Sequence, residues 1–218
     1  MTSMSADPPA EPPVVAGAVG PEMLRPMRSG GRADATRRAI LDAARAVFAE
    51  HGYADAGIAE IVTRSNASVG SIYHHFGGKA ELYLALYDQF VRRNMDRASA
   101  AVRQAREVGE TDPMALFCAG GQAYLEGCLE QRDIVRVFFS GDGPPDFDRV
   151  RRQAVRDWIR RNDALFRIGQ QPYGKALTLV LTTIMAEAGR EVVAAEEAGE
   201  ARLIGAEVLA LVRRLGPH

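Results

Sequence analysis

The sequence predicts an all-α protein, and three observations carry that prediction. Apolar residues recur at helical spacing through most of the chain after Thr36, and the composition leans on Ala, Leu, Arg and Glu. Gly, Pro, Asn and Asp gather in short clusters that separate the periodic stretches. With 218 residues, 47% of them hydrophobic, the chain is long enough to bury a sizeable core from about nine helices.

Residues 1–31 are rich in Pro, Ala, Gly and Ser, contain Pro8-Pro9 and Pro12-Pro13, and carry no apolar period, so a disordered N-terminal arm is expected. Arg25 and Arg28, with Arg32 just beyond, leave two uses open: a solvated tail, or a contact with phosphate or a minor groove. From Thr36, the positions Ile40, Leu41, Ala44, Val47 and Phe48 form one helical face that stops near Gly52. A short second helix holds Ile58, Ile61 and Val62, and a third, behind Ser68, holds Ile72 and Phe76. Gly77-Gly78 ends it, and a long fourth helix starts with Lys79, Glu81 and Leu82 and runs towards Arg106. Turn signals around Pro113, Asp133, Gly141 to Pro145, Pro172 and Gly199 divide the remainder into helices near 113–130, 133–140, 146–168, 173–196 and 199–215. The expected domains are the arm (1–31), a helix-turn-helix domain (32–78) and a larger helical domain (79–218).

Composition excludes several classes. The net charge is −1 with a pI near 6.4, so bulk charge neither draws the chain to nucleic acid nor forbids a local basic face. Cys118 and Cys128 stand ten positions apart on one predicted helix, about 15 Å of rise, which is too far for a disulfide. Buried thiols or a redox switch remain the alternatives. No apolar run of about 18 residues and no signal-peptide layout occurs, so a cytoplasmic, nucleoid-associated protein without a membrane partner is expected. His51, His74 and His75 lack i, i+4 pairing and carboxylate or cysteine company, so neither a metal nor a cofactor is expected. Without a phosphate loop, nucleophile elbow or paired carboxylates, catalysis has no visible residues.

The informative segment is the pair of short helices. A helix-turn-helix needs a supporting helix, a tight turn and a second helix held by apolar residues on one side. Asn66 tolerates the left-handed conformation such a turn requires, and Ser68 is placed to cap the third helix by accepting from Gly70 or Ser71 N–H. With Ile72 and Phe76 inward, Val69, Gly70, Ser71, Tyr73 and His74 face out, mixing small and hydrogen-bonding groups suited to a major groove.

Phe48-Ala-Glu-His-Gly52-Tyr53, then Ile58 and Ile61, Ser68-Val-Gly70-Ser-Ile-Tyr73-His-His-Phe76, Lys79 and Leu82 together resemble the N-terminal pattern of the TetR family of transcription regulators. The resemblance covers about fifty residues and does not reach the C-terminal two thirds. It implies phosphate contacts by Tyr73 and Lys79, a place in the groove for Ser68, Val69, Ser71 and His74, and backbone contacts by Thr36 and Arg37. Solvated or core roles are the alternatives for Lys79 and Tyr73. There are three departures from the family's habit: Ala56 and Gly57 replace a usual Thr or Ser, leaving Asp55 or Gly57 to cap the second helix. Asn66 replaces the turn glycine, and Val69 replaces a basic residue at the start of the reading helix.

Downstream, Ala176, Leu177, Val180, Leu181, Ile184, Met185, Ala188 and Val192 form one broad stripe, and Leu203, Ile204, Val208, Leu211, Val212 and Leu215 another. By the resemblance, the last two long helices would build a four-helix homodimer interface; an intrachain core is the alternative. Tyr124, Phe138, Phe139, Trp158, Phe166 and Tyr173, with Gln122, Thr178 and Thr182 as polar points, are the candidate lining of a pocket for a small hydrophobic effector, or are simply core. The leading expectation is a DNA-binding regulator of a palindromic operator, a repressor released by that effector. The alternatives are a DNA-binding dimer with no effector, its pocket filled by side chains, and an all-α carrier or enzyme with an incidental helix-turn-helix.

Overall fold

A computed structural model describes residues 31–166 and 174–215, which form nine α-helices and no strand. In chain order these are α1 (Gly31–His51), α2 (Ile58–Ser65), α3 (Val69–His75), α4 (Lys79–Glu107), α5 (Pro113–Glu130), α6 (Arg132–Phe139), α7 (Phe147–Phe166), α8 (Gly174–Ala194) and α9 (Ala198–Arg214). The first helix begins earlier than its apolar period, at Gly31. The rest of the expected arm, with Arg25 and Arg28, lies outside the described residues, as does Tyr173.

Two apolar clusters organise the molecule. The first joins Ile40, Val47 and Phe48 of α1, Ile61 of α2 and Ile72 of α3 to Tyr83, Leu86, Tyr87 and Phe90 of α4. It continues without a break into Val135 and Phe138 of α6, Phe147 of α7 and Val193 of α8. The boundary expected between residues 78 and 79 therefore crosses a shared core: the head formed by α1 to α3 and the larger body are packed as neighbours, not strung on a linker. Each fully buried side chain of this size contributes about 1.5–3 kcal/mol relative to exposure, so the junction is a strong one. The second cluster joins Phe117, Cys118 and Leu125 of α5 to Leu181, Met185 and Val192 of α8 and to Ala201 and Val212 of α9.

Local chemistry fixes the helix ends. Asp112 accepts from the N–H groups of Met114 (3.3 Å) and Ala115 (3.0 Å), and Pro113 opens α5 where no N–H is needed. At the other end of the body, Arg132 and Arg136 of α6 close the C-terminus of α8: Arg136 Nε donates to Val193 O at 2.6 Å and its Nη2 to Ala195 O at 3.2 Å. Arg132 Nε donates to the same Val193 carbonyl at 3.0 Å. Cationic donors at the negative end of a helix satisfy its orphan carbonyls and its dipole together.

Cys118 and Cys128 are both free and buried. Burial pushes both thiols up, that of Cys128 to about 12, so neither is a thiolate near neutral pH. No helix among the described residues is long and apolar enough to cross a membrane.

Candidate nucleic-acid interface and cavity

The turn between α2 and α3 is built as its residues predict. Asn66 sits in the left-handed region at φ 51°, ψ 30°, and its N–H closes α2 on Thr63 O. Ser68, extended at φ −92°, ψ 157°, accepts from Ser71 N–H at 3.1 Å. The start of α2 is less well served, since Gly57 takes the cap position and no side chain bonds there.

The outward face of α3 follows from what holds its other side. Ile72 is fully buried and Phe76 is half-buried, covered by the Arg37 guanidinium 5.0 Å above its ring. Val69 is 49% exposed and Tyr73 55% exposed, which sets them apart from other large apolar and aromatic side chains of the head. Gly70 and His74 are exposed beside them, and Ser68 and Ser71 share a hydroxyl contact of 2.9 Å. Five of the expected reading residues, Ser68, Val69, Gly70, Tyr73 and His74, are thus exposed together, with Ser71 half-buried among them. Thr36 and Arg37 are half-buried on α1, so Arg37 is divided between Phe76 and solvent.

Lys79 is not the freely solvated lysine of the alternative reading. Its Nζ donates to Ala54 O at 2.8 Å and lies 4.8 Å from the centre of the Tyr53 ring, tying α4 to the turn after α1. An ammonium has three donors, so two remain. Arg64 is likewise engaged: its guanidinium reaches Glu50 and Glu60, each at 2.6 Å. Contrary to the expectation that His51 has no carboxylate company, Glu60 lies 3.3 Å and the adjacent Glu50 3.9 Å from its Nε2, although Arg64 already occupies those carboxylates.

One residue of this region escaped the sequence reading. Asp142, in the loop between α6 and α7, accepts through Oδ2 from the N–H of Tyr53 at 2.6 Å and of Ala54 at 3.0 Å. Tyr83 Oη lies within donating distance of Val137 O (3.3 Å) and Asp142 O (3.2 Å). Gly52, at φ 75°, has no room for a side chain here, because a Cβ would stand 2.6 Å from the same carboxylate oxygen. The only sequence signal was the Gly141–Pro145 turn itself; the contact spans some 89 positions.

Inside the body lies a cavity of about 730 Å³, walled by α4, α5, α7 and α8, with Phe139 at the end of α6. Tyr124, Phe139, Trp158 and Thr182 of the expected lining are in its wall. Tyr124 meets Trp158 edge-on at 5.6 Å, and Thr182 Oγ1 accepts from Asn162 Nδ2 at 2.9 Å. Four others are not. Phe138 is 1% exposed within the first core, against Tyr83 and Tyr87; Phe166 packs on Phe117. Thr178 is fully buried and returns its hydroxyl to Gly174 O, and Gln122 points to solvent and bonds Glu126. Residue type alone does not say which side of a helix meets a void. Phe90, Phe117, Met185 and a set of arginines are also in the wall; the sequence placed Met185 only in the apolar stripe of α8, and chain-local spacing does not say that Phe90 or Phe117 meets a void.

A helix-turn-helix that presents one polar face to solvent is here fused through a common core to a larger hollow helical body. Residues 40–86 match the family of bacterial regulatory proteins, tetR family. The match lies in the N-terminal helices α1 to α4, which carry the TetR-type helix-turn-helix pattern. It is similar to the HTH-type transcriptional activator FasR of Mycolicibacterium smegmatis, 34% identical over 109 residues, 50% of this chain and 48% of that protein. It is also similar to the HTH-type transcriptional repressor AcnR of Corynebacterium glutamicum, 43% identical over 58 residues, 27% of this chain and 31% of that protein. These matches span about half, or less, of the relatives' length. A TetR-family transcriptional regulator from Pectobacterium atrosepticum, known as a crystal structure, shares the fold over 86% of this chain and 95% of its own, with a TM-score of 0.59 and 28% identity.

Proposed function

We propose that this chain is a homodimeric, sequence-specific DNA-binding transcription repressor whose body binds a small effector that releases it from its operator. The observation that carries the reading is the solvent face of α3, where Ser68, Val69, Gly70, Ser71, Tyr73 and His74 converge with no other element covering them. Tyr73 and the two remaining donors of Lys79 serve as phosphate contacts, Ser71 and His74 as hydrogen-bonding contacts to base edges, and Val69 as an apolar partner for a thymine methyl. Thr36 and Arg37, half-buried on α1, add backbone contacts by the family resemblance.

Dimerisation through α8 and α9 is supported by Val180, Leu203, Leu211 and Leu215, all at least 49% exposed on these two helices or just beyond. Such a run of large apolar side chains is uncommon on a monomer's surface. Paired heads about 34–36 Å apart suit successive major grooves of a palindromic operator. The open cavity favours an effector over a body filled by side chains. An inducer must bind the DNA-incompetent state more tightly, and α6 supplies the linkage: its arginines hold the end of cavity-wall helix α8, and the loop after it holds the head through Asp142. As a DNA-bound regulator the protein works in the cytoplasm and carries out no catalysis.

The test is a salt-titrated binding assay on the DNA upstream of the protein's own gene. Specific binding should be lost, by roughly tenfold or more, in Tyr73→Ala and Lys79→Ala, and the salt slope should fall with each lost phosphate contact. Undiminished binding by both variants, with the fold intact by circular dichroism, refutes the assignment.

A further inference from the structure

The cavity's charged lining is one-sided, and we infer from it that the ligand is an amphiphilic anion: an apolar chain in the interior and a carboxylate or phosphate head at an arginine rim. The inference rests on the reading of this cavity as the effector site and adds the ligand's chemistry. At about 730 Å³ the space falls within the range of small-molecule sites. Its interior is apolar, from Phe90, Phe117, Trp158, Leu165 and Met185, which calls for an apolar body. Around it stand seven arginines and one carboxylate, that of Glu187. The whole chain is balanced, with 27 basic and 28 acidic residues, so the excess at this wall does not follow from composition.

Part of that charge is already answered. Arg190 pairs with Glu187 and Arg151 with Asp148, each at 2.8 Å, while Arg156 lies on Gln153 Oε1 and Arg161 reaches Ser99 Oγ at 3.5 Å. Arg103 and Arg106 at the end of α4, and Arg152 on α7, make no ion pair within 4 Å among the described residues. All three are exposed members of the wall, so their guanidinium groups keep their water until a ligand arrives. α7 runs alongside α4 in the same direction, since Phe147 stacks edge-on against Tyr87 and Arg161 meets Ser99. The unpaired cations therefore stand at two ends of the cavity, Arg152 towards the Tyr87 end and Arg103 and Arg106 past Ser99, and an anionic head takes one of these ends. An anionic head gains charge-assisted, bidentate hydrogen bonds from a guanidinium, a neutral head gains weaker ones, and a cationic head is repelled.

The test titrates the full chain calorimetrically with dodecanoate, dodecyl phosphate, 1-dodecanol and dodecyltrimethylammonium, each below its micelle-forming concentration. The expected order places at least one of the two anions roughly tenfold or more above dodecanol, and the cation last. A stronger anion of the two assigns the head as carboxylate or phosphate. The triple variant R103Q/R106Q/R152Q should bring the anion's affinity down to that of dodecanol and leave dodecanol binding unchanged, which also shows that the cavity has kept its shape. Equal binding of anion and alcohol by the natural chain, or an anion preference that survives in the triple variant, overturns the inference while leaving the effector site standing. Binding of none of the four overturns the effector-site reading itself.

Discussion

Asn66 carries the turn of the helix-turn-helix in a backbone conformation that few L residues adopt freely. Its side chain makes no bond that another residue needs, so its contribution is conformational. Asn66→Ala should lower stability by about 1 kcal/mol, whereas Asn66→Gly should match or exceed the natural chain, as read by urea unfolding. Equal stability of the Ala and Gly variants would show that the turn is not strained at all. Both Asn66 and the Ser68 cap were legible in the sequence, because a turn and a cap are decided within three or four residues of chain. The destination of Lys79 was not, since its partner Ala54 lies 25 positions away and is chosen by how α4 docks on the head.

At the level of the element, α6 and the loop after it are the distinguishing part. Eight residues long, α6 buries Ile134, Val135, Val137 and Phe138 on one side and sends Arg132 and Arg136 to the end of α8 on the other. The following loop delivers Asp142 to two backbone N–H groups at the end of α1. Asp142→Ala removes a charged acceptor from two amides and should cost about 1–3 kcal/mol. Hydrogen exchange should speed up at Tyr53 and Ala54 and through α2 and α3, with α5 little changed; uniform exchange across all helices would refute a local tether. The helical periods that predicted these elements gave their existence and approximate ends. They carried no information on which helix end α6 would cap.

For the whole molecule, head and body are joined by a continuous core and by charged ties at its edge. Arg45 of α1 grips Asp133 of α6 through two bonds, Nε to Oδ2 at 2.9 Å and Nη2 to Oδ1 at 2.6 Å. Burial pushes the Asp133 carboxyl up, but the Arg45 bond and the Ile134 N–H outweigh it, so its pKa lies below the ordinary value. A depressed folded pKa gives stability that is present above the unfolded value of about 4 and is lost as the pH falls through the folded one. The stability difference between the natural chain and Asp133→Asn should therefore shrink as the pH drops from about 5 to 3. Side-chain exposures of 31% and 48% keep its size to about 1 kcal/mol or less. A difference independent of pH would show that the pair does not titrate with folding.

By itself the sequence determined the all-helical class, the nine helical segments, the buried anchors Phe48, Ile61, Ile72 and Leu82, and the solvent face of α3. These are consequences of chain-local rules: periodicity, capping and turn chemistry act over one or two turns of helix. Tertiary structure alone decided that the expected boundary after residue 78 is a shared core, that Asp142 and Arg136 link cavity wall to reading head, and that Phe138, Phe166, Thr178 and Gln122 face away from the cavity. It also gathered arginines from three helices around one apolar space. A void and its rim arise where four helices meet, and how far apart they pack and how each is rotated depend on residues more than a hundred positions apart.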